Sequence, residues 1–298
     1  MKTFSAIYMV LQVVLTLLLP GTLLSQEDDF NDGNDDGWSR FTPLDPFGGT
    51  AISVSGGVYR LACEPSPNAE AFGPARCGSL RLDASLENFC VMVDIGGLAP
   101  GEDTSTGILA RIQPGAGPGA VNGYAFTYQA GGNDVQISRV VNEEPVDISG
   151  TVDVTLLAGH RYRMVFFGVG ARLEGRIYDT EDLSVPVVTA TAADATFSAG
   201  NCGLVVFADT NTRASATFDN YTAGTGEVAP PALAVVDGQI RVSWPAEPAL
   251  CHSLEVSSDL QVWEPAAGSI YDAGQIIWSE TITDEKPARY YRLRMGQP

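Results

Sequence analysis

Beyond residue 26 the chain follows the two-residue period of strands. Apolar and polar positions alternate over short runs that close on Gly, Asn, Asp or Pro, and a helical period is hard to find. The runs 57–63, 79–82 and 89–95 read as strands, and in the third Phe89, Val91, Val93 and Ile95 share a face. The run 107–113 sets Ile108, Ala110 and Ile112 opposite Leu109 and Arg111. Two hairpins follow. Residues 123–129 alternate Tyr124, Phe126 and Tyr128, turn through Gly131-Gly132-Asn133, and return with Val135, Ile137 and Arg139. Residues 161–167 turn at Gly168-Val169-Gly170 and return over 171–178. The runs 203–208 and 214–221 complete the series. Some ten to thirteen strands in about 190 residues predict an all-β domain of two stacked antiparallel sheets, because one open sheet so wide would leave a face bare.

Composition changes abruptly at 224–231, GTGEVAPP, which reads as a linker. After it, residues 232–298 form a second, smaller β-domain. There 239–244 alternates Ile240, Val242 and Trp244, and further strands fall at 253–256, 275–278 and 289–294. A domain that small needs its large aromatics, Trp244, Trp263 and Tyr291, to fill a core. At the other end, residues 1–25 carry Lys2, an apolar run over 10–19 and a small Ser25, the pattern of a secretory signal. The run is too short for a membrane span. The expectation is an exported chain, secreted or at the cell surface, with no transmembrane segment after cleavage.

The formal charge is −19, from 17 Lys and Arg against 36 Asp and Glu. Such a chain is repelled by nucleic acid and by anionic membrane, so neither is an expected partner. Five cysteines in an exported chain imply disulfides and one thiol left over. Cys63 and Cys77 flank a Pro- and Gly-containing loop and are the first expected pair. Cys90 and Cys202, both in strand-like runs, are the second, which leaves Cys251 alone. No Cys-x-x-Cys occurs, which argues against a zinc site.

Chemistry-bearing residues are few. Residues 28–38, DDFNDGNDDGW, hold five aspartates and two asparagines beside Phe30 and Trp38. Carboxylates so crowded repel unless a cation or water screens them. Asp29, Asp32, Asn34 and Asp36, with the distant Asp219, are candidate donors to a structural Ca²⁺. The other reading is a turn-rich segment in which Asx side chains cap their own backbone. An EF-hand is not expected, since its ninth and twelfth positions would be Arg40 and Pro43. Arg111, Tyr124 and Tyr128 are candidates for a sugar-binding face; alternating aromatics on a strand equally describe core. Glu174, between Arg172 and Arg176, is the one candidate catalytic acid, and a cross-strand ion pair is its alternative. The two histidines, His160 and His252, lie near no G-x-S-x-G turn.

The opening DDFNDG, the strand GILARIQ, the hairpins GYAFTYQAGGNDVQISRV and RYRMVFFGVGARLEGRIYD, and the closing GNCGLVVFAD and ATFDNY together resemble the concanavalin A-like/laminin G-like jelly-roll superfamily. The resemblance implies an antiparallel two-sheet jelly-roll sandwich over 26–223. Its members include lectins, adhesion modules and glycosidases, and many hold a structural calcium between first and last strands. Asp29 and Asp219 would be the clip residues here. The glycosidase signature Glu-x-Asp-x-x-Glu is missing. IRVSWPA, SLEVSSDLQVWEP and RYYRLR resemble the small fibronectin III-like modules that end many secreted bacterial proteins, short of one edge strand. The expected function is noncatalytic binding or adhesion, with a glycan or another cell-surface or matrix component as partner. A structural envelope role, or a polysaccharide hydrolase or lyase, are the alternatives.

Overall fold

Alternation along the chain produces two antiparallel sheets of eight strands each. The computed structural model describes residues 26–44, 49–98, 103–113, 115, 119–226, 231–245, 250–272, 274–281 and 289–295. The leader at 1–25 and residues 227–230 of the linker lie outside the described residues. Sheet I runs β3 (Thr50–Ser55), β4 (Val58–Cys63), β16 (Ala214–Gly224), β6 (Phe89–Gly96), β12 (Tyr162–Val169), β13 (Arg172–Asp179), β14 (Val188–Ala193). Strand β1 (Gln26–Asp28) also pairs with β16, placing Asp28 opposite Tyr221, so the sheet is closed where the chain enters and leaves it. Sheet II runs β2 (Trp38–Phe41), β5 (Arg76–Leu86), β15 (Gly200–Phe207), β7 (Ser105–Gln113), β8 (Asn122–Gln129), β9 (Asp134–Val141), β10 (Glu144–Asp147), with β11 (Val152–Asp153) beside β9. One four-residue helix, α1 (Ala69–Phe72), links β4 to β5. Among the described residues no helix is long and apolar enough to cross a membrane.

The inward faces interdigitate. Val91, Val93 and Ile95 from β6 and Met164 and Phe166 from β12 meet Ile108, Phe126 and Ile137 from sheet II, all buried. Gly175 is required here, because the Phe126 ring occupies the place its Cβ would take.

The outward face of sheet I is covered. Strands β17 (Ala232–Val236), β18 (Gln239–Pro245), β22 (Gln275–Thr281) and β21 (Ile270–Asp272) form one small sheet. Strands β20 (Glu264–Pro265), β19 (His252–Ser257) and β23 (Tyr290–Met295) form another. Together they make the second β-sandwich. Its Val242, Trp244, Leu254 and Trp278 join Met92, Val165, Phe167 and Tyr178 of sheet I in one apolar cluster. Trp244 is buried, whereas Trp263 and Tyr291 are only half-buried.

A disulfide from Cys90 to Cys251 crosses this interface, with Cα atoms 6.3 Å apart. The expected pairing is thereby corrected. Phe89 and Val91 point into the core, so Cys90 points out toward the second sandwich, while Cys202 points into the core and cannot reach it. Cys63 and Cys77 do meet, but as hydrogen-bonded thiols, and Cys202 also remains a thiol, pushed up to about 12 by burial.

Candidate functional site

The sequence-predicted sugar face lies inside the sandwich. A β-bulge between Ala110 and Gln113, with Arg111 at φ 50°, turns the Arg111 side chain inward and Ile112 outward. Arg111 is 1% exposed; its guanidinium donates to the carbonyls of Glu87 (2.9 Å), Phe197 (3.0 Å) and Gly170 (2.8 Å) and stands over the Phe89 ring. Tyr124 and Tyr128 are fully buried. The Tyr124 hydroxyl donates to Asp194 and accepts from the Phe197 amide; that of Tyr128 accepts from the Leu156 amide. These three residues tie loops to the core and offer no face to a ligand. Burial pushes both phenols up.

Glu174 is not in a cleft either. It is 1% exposed under the second sandwich, with Oε1 taking two N–H groups of Arg176 (2.6 and 2.8 Å) and Oε2 one of Arg172 (3.1 Å). Arg176 continues to the Leu250 carbonyl at 2.8 Å and covers the Phe167 ring. An ion pair is formed, but along one strand rather than across strands, since Arg172, Glu174 and Arg176 all lie on β13.

The candidate calcium donors do not converge. Asp29 accepts the Asn31 amide, Asp32 the Asn34 amide and Asn34 the Asp36 amide, each a local Asx turn. Asp219 is paired with Arg161 at 2.9 Å. Among the described residues no group of three or more His, Cys, Asp or Glu side chains is placed to share a metal ion. As arranged, the five do not fit calcium. The segment is held by its aromatics instead. Phe30 stacks on Tyr59 at 5.0 Å, and Trp38 meets Tyr221 edge-on at 4.7 Å while its Nε1 donates to Asp28.

The site the sequence did not announce is a cleft of about 500 Å³ on the outward face of sheet II. Register places two rows of outward positions across its floor. One runs Phe41, Gly78, Val205, Gly107, Thr127; the next runs Leu80, Gly203, Leu109, Ala125, Ser138. Three of the ten positions are glycine, and the cleft itself is lined from these rows by Phe41, Val205, Thr127, Leu109, Ala125 and Ser138. At Gly107 and Gly203 a Cβ would collide with the carbonyls of Phe126 and Ser79 on neighbouring strands. Rings of Phe41, Phe72 and Phe207 line the cleft.

Its walls are α1 with Gly73-Pro74 on one side and the β9–β10 turn on the other. Asn142 and Glu143 form that two-residue turn with φ 54° and 65°, a conformation Asn tolerates and Glu resists. A brace holds it there. Glu143 Oε2 accepts Arg76 Nε (2.8 Å) and Nη2 (2.6 Å), and Oε1 accepts the Ala120 amide (2.9 Å). Arg76 Nη1 also donates to the carbonyls of Phe72 (2.7 Å) and Pro74 (3.0 Å), so one guanidinium binds wall to wall. Backbone strain fixed from outside in this way is a mark of binding sites.

Polar groups finish the cleft. Thr127 is 1% exposed, and its Oγ1 has no hydrogen-bond partner among the described residues. Glu70, Glu144 and Asp209 carry carboxylates on the lining, while Arg76 is already engaged. Burial, then the charge of Asp103, pushes the Asp209 carboxyl up; burial, then Asp153, Asp209 and Asp147, does the same to the buried Asp134 nearby. The sequence signals were faint: glycines at outward parity in central strands, and Asn142-Glu143-Glu144-Pro145, which reads as an ordinary loop.

No family profile matches the chain, and no curated protein matches it. Solved structures do. The carbohydrate binding module CBM66 from Bacillus subtilis aligns with TM-score 0.45 and 20% identity over 63% of this chain and 95% of that one. Basic winged bean lectin with Tn-antigen aligns with TM-score 0.47 and 11% identity over 68% and 98%. Bacillus licheniformis β-glucanase aligns with TM-score 0.46 and 13% identity over 67% and 97%.

Proposed function

We propose that this chain is an exported, noncatalytic glycan-binding protein that takes a sugar in the sheet II cleft. One observation carries the reading: a braced cleft with a floor of small and apolar side chains, whose lining mixes three Phe rings with hydroxyl and carboxylate groups. A sugar ring has apolar CH faces and an equatorial rim of hydroxyls, and this lining offers a counterpart to each. Glu174, the candidate catalytic acid, is committed to Arg176, which favours binding over hydrolysis. The signal-like leader and the Cys90–Cys251 bridge support export, since disulfides persist in oxidising compartments. The C-terminal strand orders, β17-β18-β22-β21 and β20-β19-β23, parallel the A-B-E-D and C′-C-F orders of immunoglobulin-like sandwiches and support a fibronectin III-like module without its last strand.

Calorimetry of the intact protein against a panel of oligosaccharides tests this reading. Retention of at least one oligosaccharide, weakened by Phe41→Ala, is expected. Failure to bind any of them, or release of reducing ends from one, rejects it.

A further inference from the structure

The cleft's charge narrows its ligand. Its lining holds four carboxylates, Glu70, Glu143, Glu144 and Asp209, against one guanidinium, Arg76, and that guanidinium is bound to Glu143. Three carboxylates are left facing the ligand space with no cation of the lining to balance them. The imbalance deepens toward Asp209. Asp103 accepts the backbone amide of Asp209 at 3.1 Å, so two carboxylates share that corner. Behind it Asp134 is 8% exposed, and its Oδ1 has no partner among the described residues. Burial first, and the neighbouring carboxylates second, raise the pKa values of Asp209 and Asp134. A uronate or sulfated sugar would add a further anion to this corner. A neutral sugar would leave the repulsion as it stands. An ammonium group would relieve it and would stand where partial desolvation strengthens the attraction.

Resting on the glycan-binding reading, we propose that the cleft selects a glycan bearing free primary amines, its ammonium groups seated toward the Glu144 and Asp209 end and its ring faces on the Phe-lined floor.

The test uses the intact protein and three oligosaccharides of equal length: glucosamine, N-acetylglucosamine and galacturonate. Titration at about pH 6 keeps the amines protonated and most carboxylates ionised. The glucosamine oligomer should bind roughly tenfold or more tighter than the N-acetylated one, as expected for several exposed ammonium–carboxylate contacts. The gap should shrink in moderate salt, and the galacturonate should bind weakest. A polycation will also adhere to any chain of charge −19. The combined Glu70→Gln, Glu144→Gln and Asp209→Asn variant addresses this, because it leaves most of that charge in place. The proposal requires that this variant, melting as the parent does, lose the preference. Retained preference overturns it as general charge attraction. Equal, salt-insensitive binding of the glucosamine and N-acetylglucosamine oligomers overturns it too, while leaving the glycan reading intact. Failure of all three to bind, with no other oligosaccharide retained, removes both.

Discussion

The two outward faces of this sandwich come from one alternation and end in opposite states. On sheet I the outward side chains are large: Met92, Val165, Phe167 and Tyr178, with Glu174 and Arg176 among them. Exposed, they would form a broad apolar patch around two charges. The second sandwich covers them, a disulfide fixes the cover, and the charges neutralise each other beneath it. On sheet II the corresponding central positions are Gly78, Gly107, Gly203 and Ala125, with Thr127 and Ser138 beside them. The apolar side chains of that face, Leu80, Leu109, Val121 and Val140 among them, pack into a smaller cluster of their own. The raised walls, braced by Arg76 and Glu143, leave a hollow. Side-chain size at outward parity thus decides which face becomes an interface and which a site.

The largest test of this contrast is to release the cover. Cys251→Ser removes a link across 161 residues and should cost about 4–5 kcal/mol of unfolding free energy by chain entropy. Guanidinium unfolding of the oxidised and variant proteins measures it. Cleft affinity should not change; a parallel loss would show that the faces are coupled and break the comparison. Glu174→Ala comes next. It leaves the buried Arg176 without its carboxylate and should cost about 3–5 kcal/mol, again with binding intact. A stable Glu174→Ala protein that no longer binds sugar would return Glu174 to the site.

How far the sequence foretold this is clearest at Arg111. The period-2 rule assigned the faces of Phe89, Val91, Val93 and Ile95 correctly, along with both long hairpins. It also placed Arg111 with Leu109, opposite Ile108 and Ala110. The bulge at Arg111 reverses that parity for two residues, and no local residue type announces a bulge. Parity names two faces but not which one is inside, so Tyr124 and Tyr128 remain readable as a platform although alternating aromatics are more often core. Cys90 and Cys202 both lie in strands, yet their side chains leave opposite sides of the sandwich, a relation that appears only once the sheets are stacked. Short edge strands such as β10 and β14 were missed because small or polar residues give them little pattern. The cleft was the least legible, being floored by small and apolar side chains from separate strands.

Acid should loosen the covered face before the open one. Burial, and then the nearby Arg176, pulls His252 down to about 4. An unfolded histidine takes its proton near 6.5, so the unfolded state binds more protons between those values. Stability should therefore fall as pH drops from about 6.5 to about 4 and level off below, by up to roughly 3 kcal/mol. Melts at stepped pH should show that slope, and His252→Gln should flatten it. On the other face, Arg76→Ala frees the Glu143 turn from its brace. A loss of about tenfold in sugar affinity is expected, beside about 3 kcal/mol of stability because Glu143 is left buried without its guanidinium. The same stability loss with sugar affinity unchanged would make it ordinary scaffold.

The smallest expected effect is none at all, and it concerns the segment that joins the faces. A ligand bound only by the folded state raises the melting temperature by mass action, so calcium clipping β1 to β16 would be lost in EGTA as a lower midpoint. The side chains argue otherwise. Asp28 is engaged by the Phe30 amide at 2.8 Å and the Trp38 indole at 2.7 Å. Asp35 is held by Arg40 and Tyr59, and Asp219 by Arg161. Asp29, Asp32 and Asn34 each turn an oxygen back on the local backbone. The repulsion expected of five aspartates is relieved separately at Asp28, Asp29, Asp32 and Asp35, by an amide, an indole or an arginine, and the Phe30, Trp38, Tyr59 and Tyr221 rings supply the cohesion. Melting in EGTA and in calcium should therefore coincide. A midpoint several degrees lower in EGTA, with calcium recovered by elemental analysis, would mean these carboxylates rearrange around an ion, and the aromatic cluster would then be its support rather than its substitute.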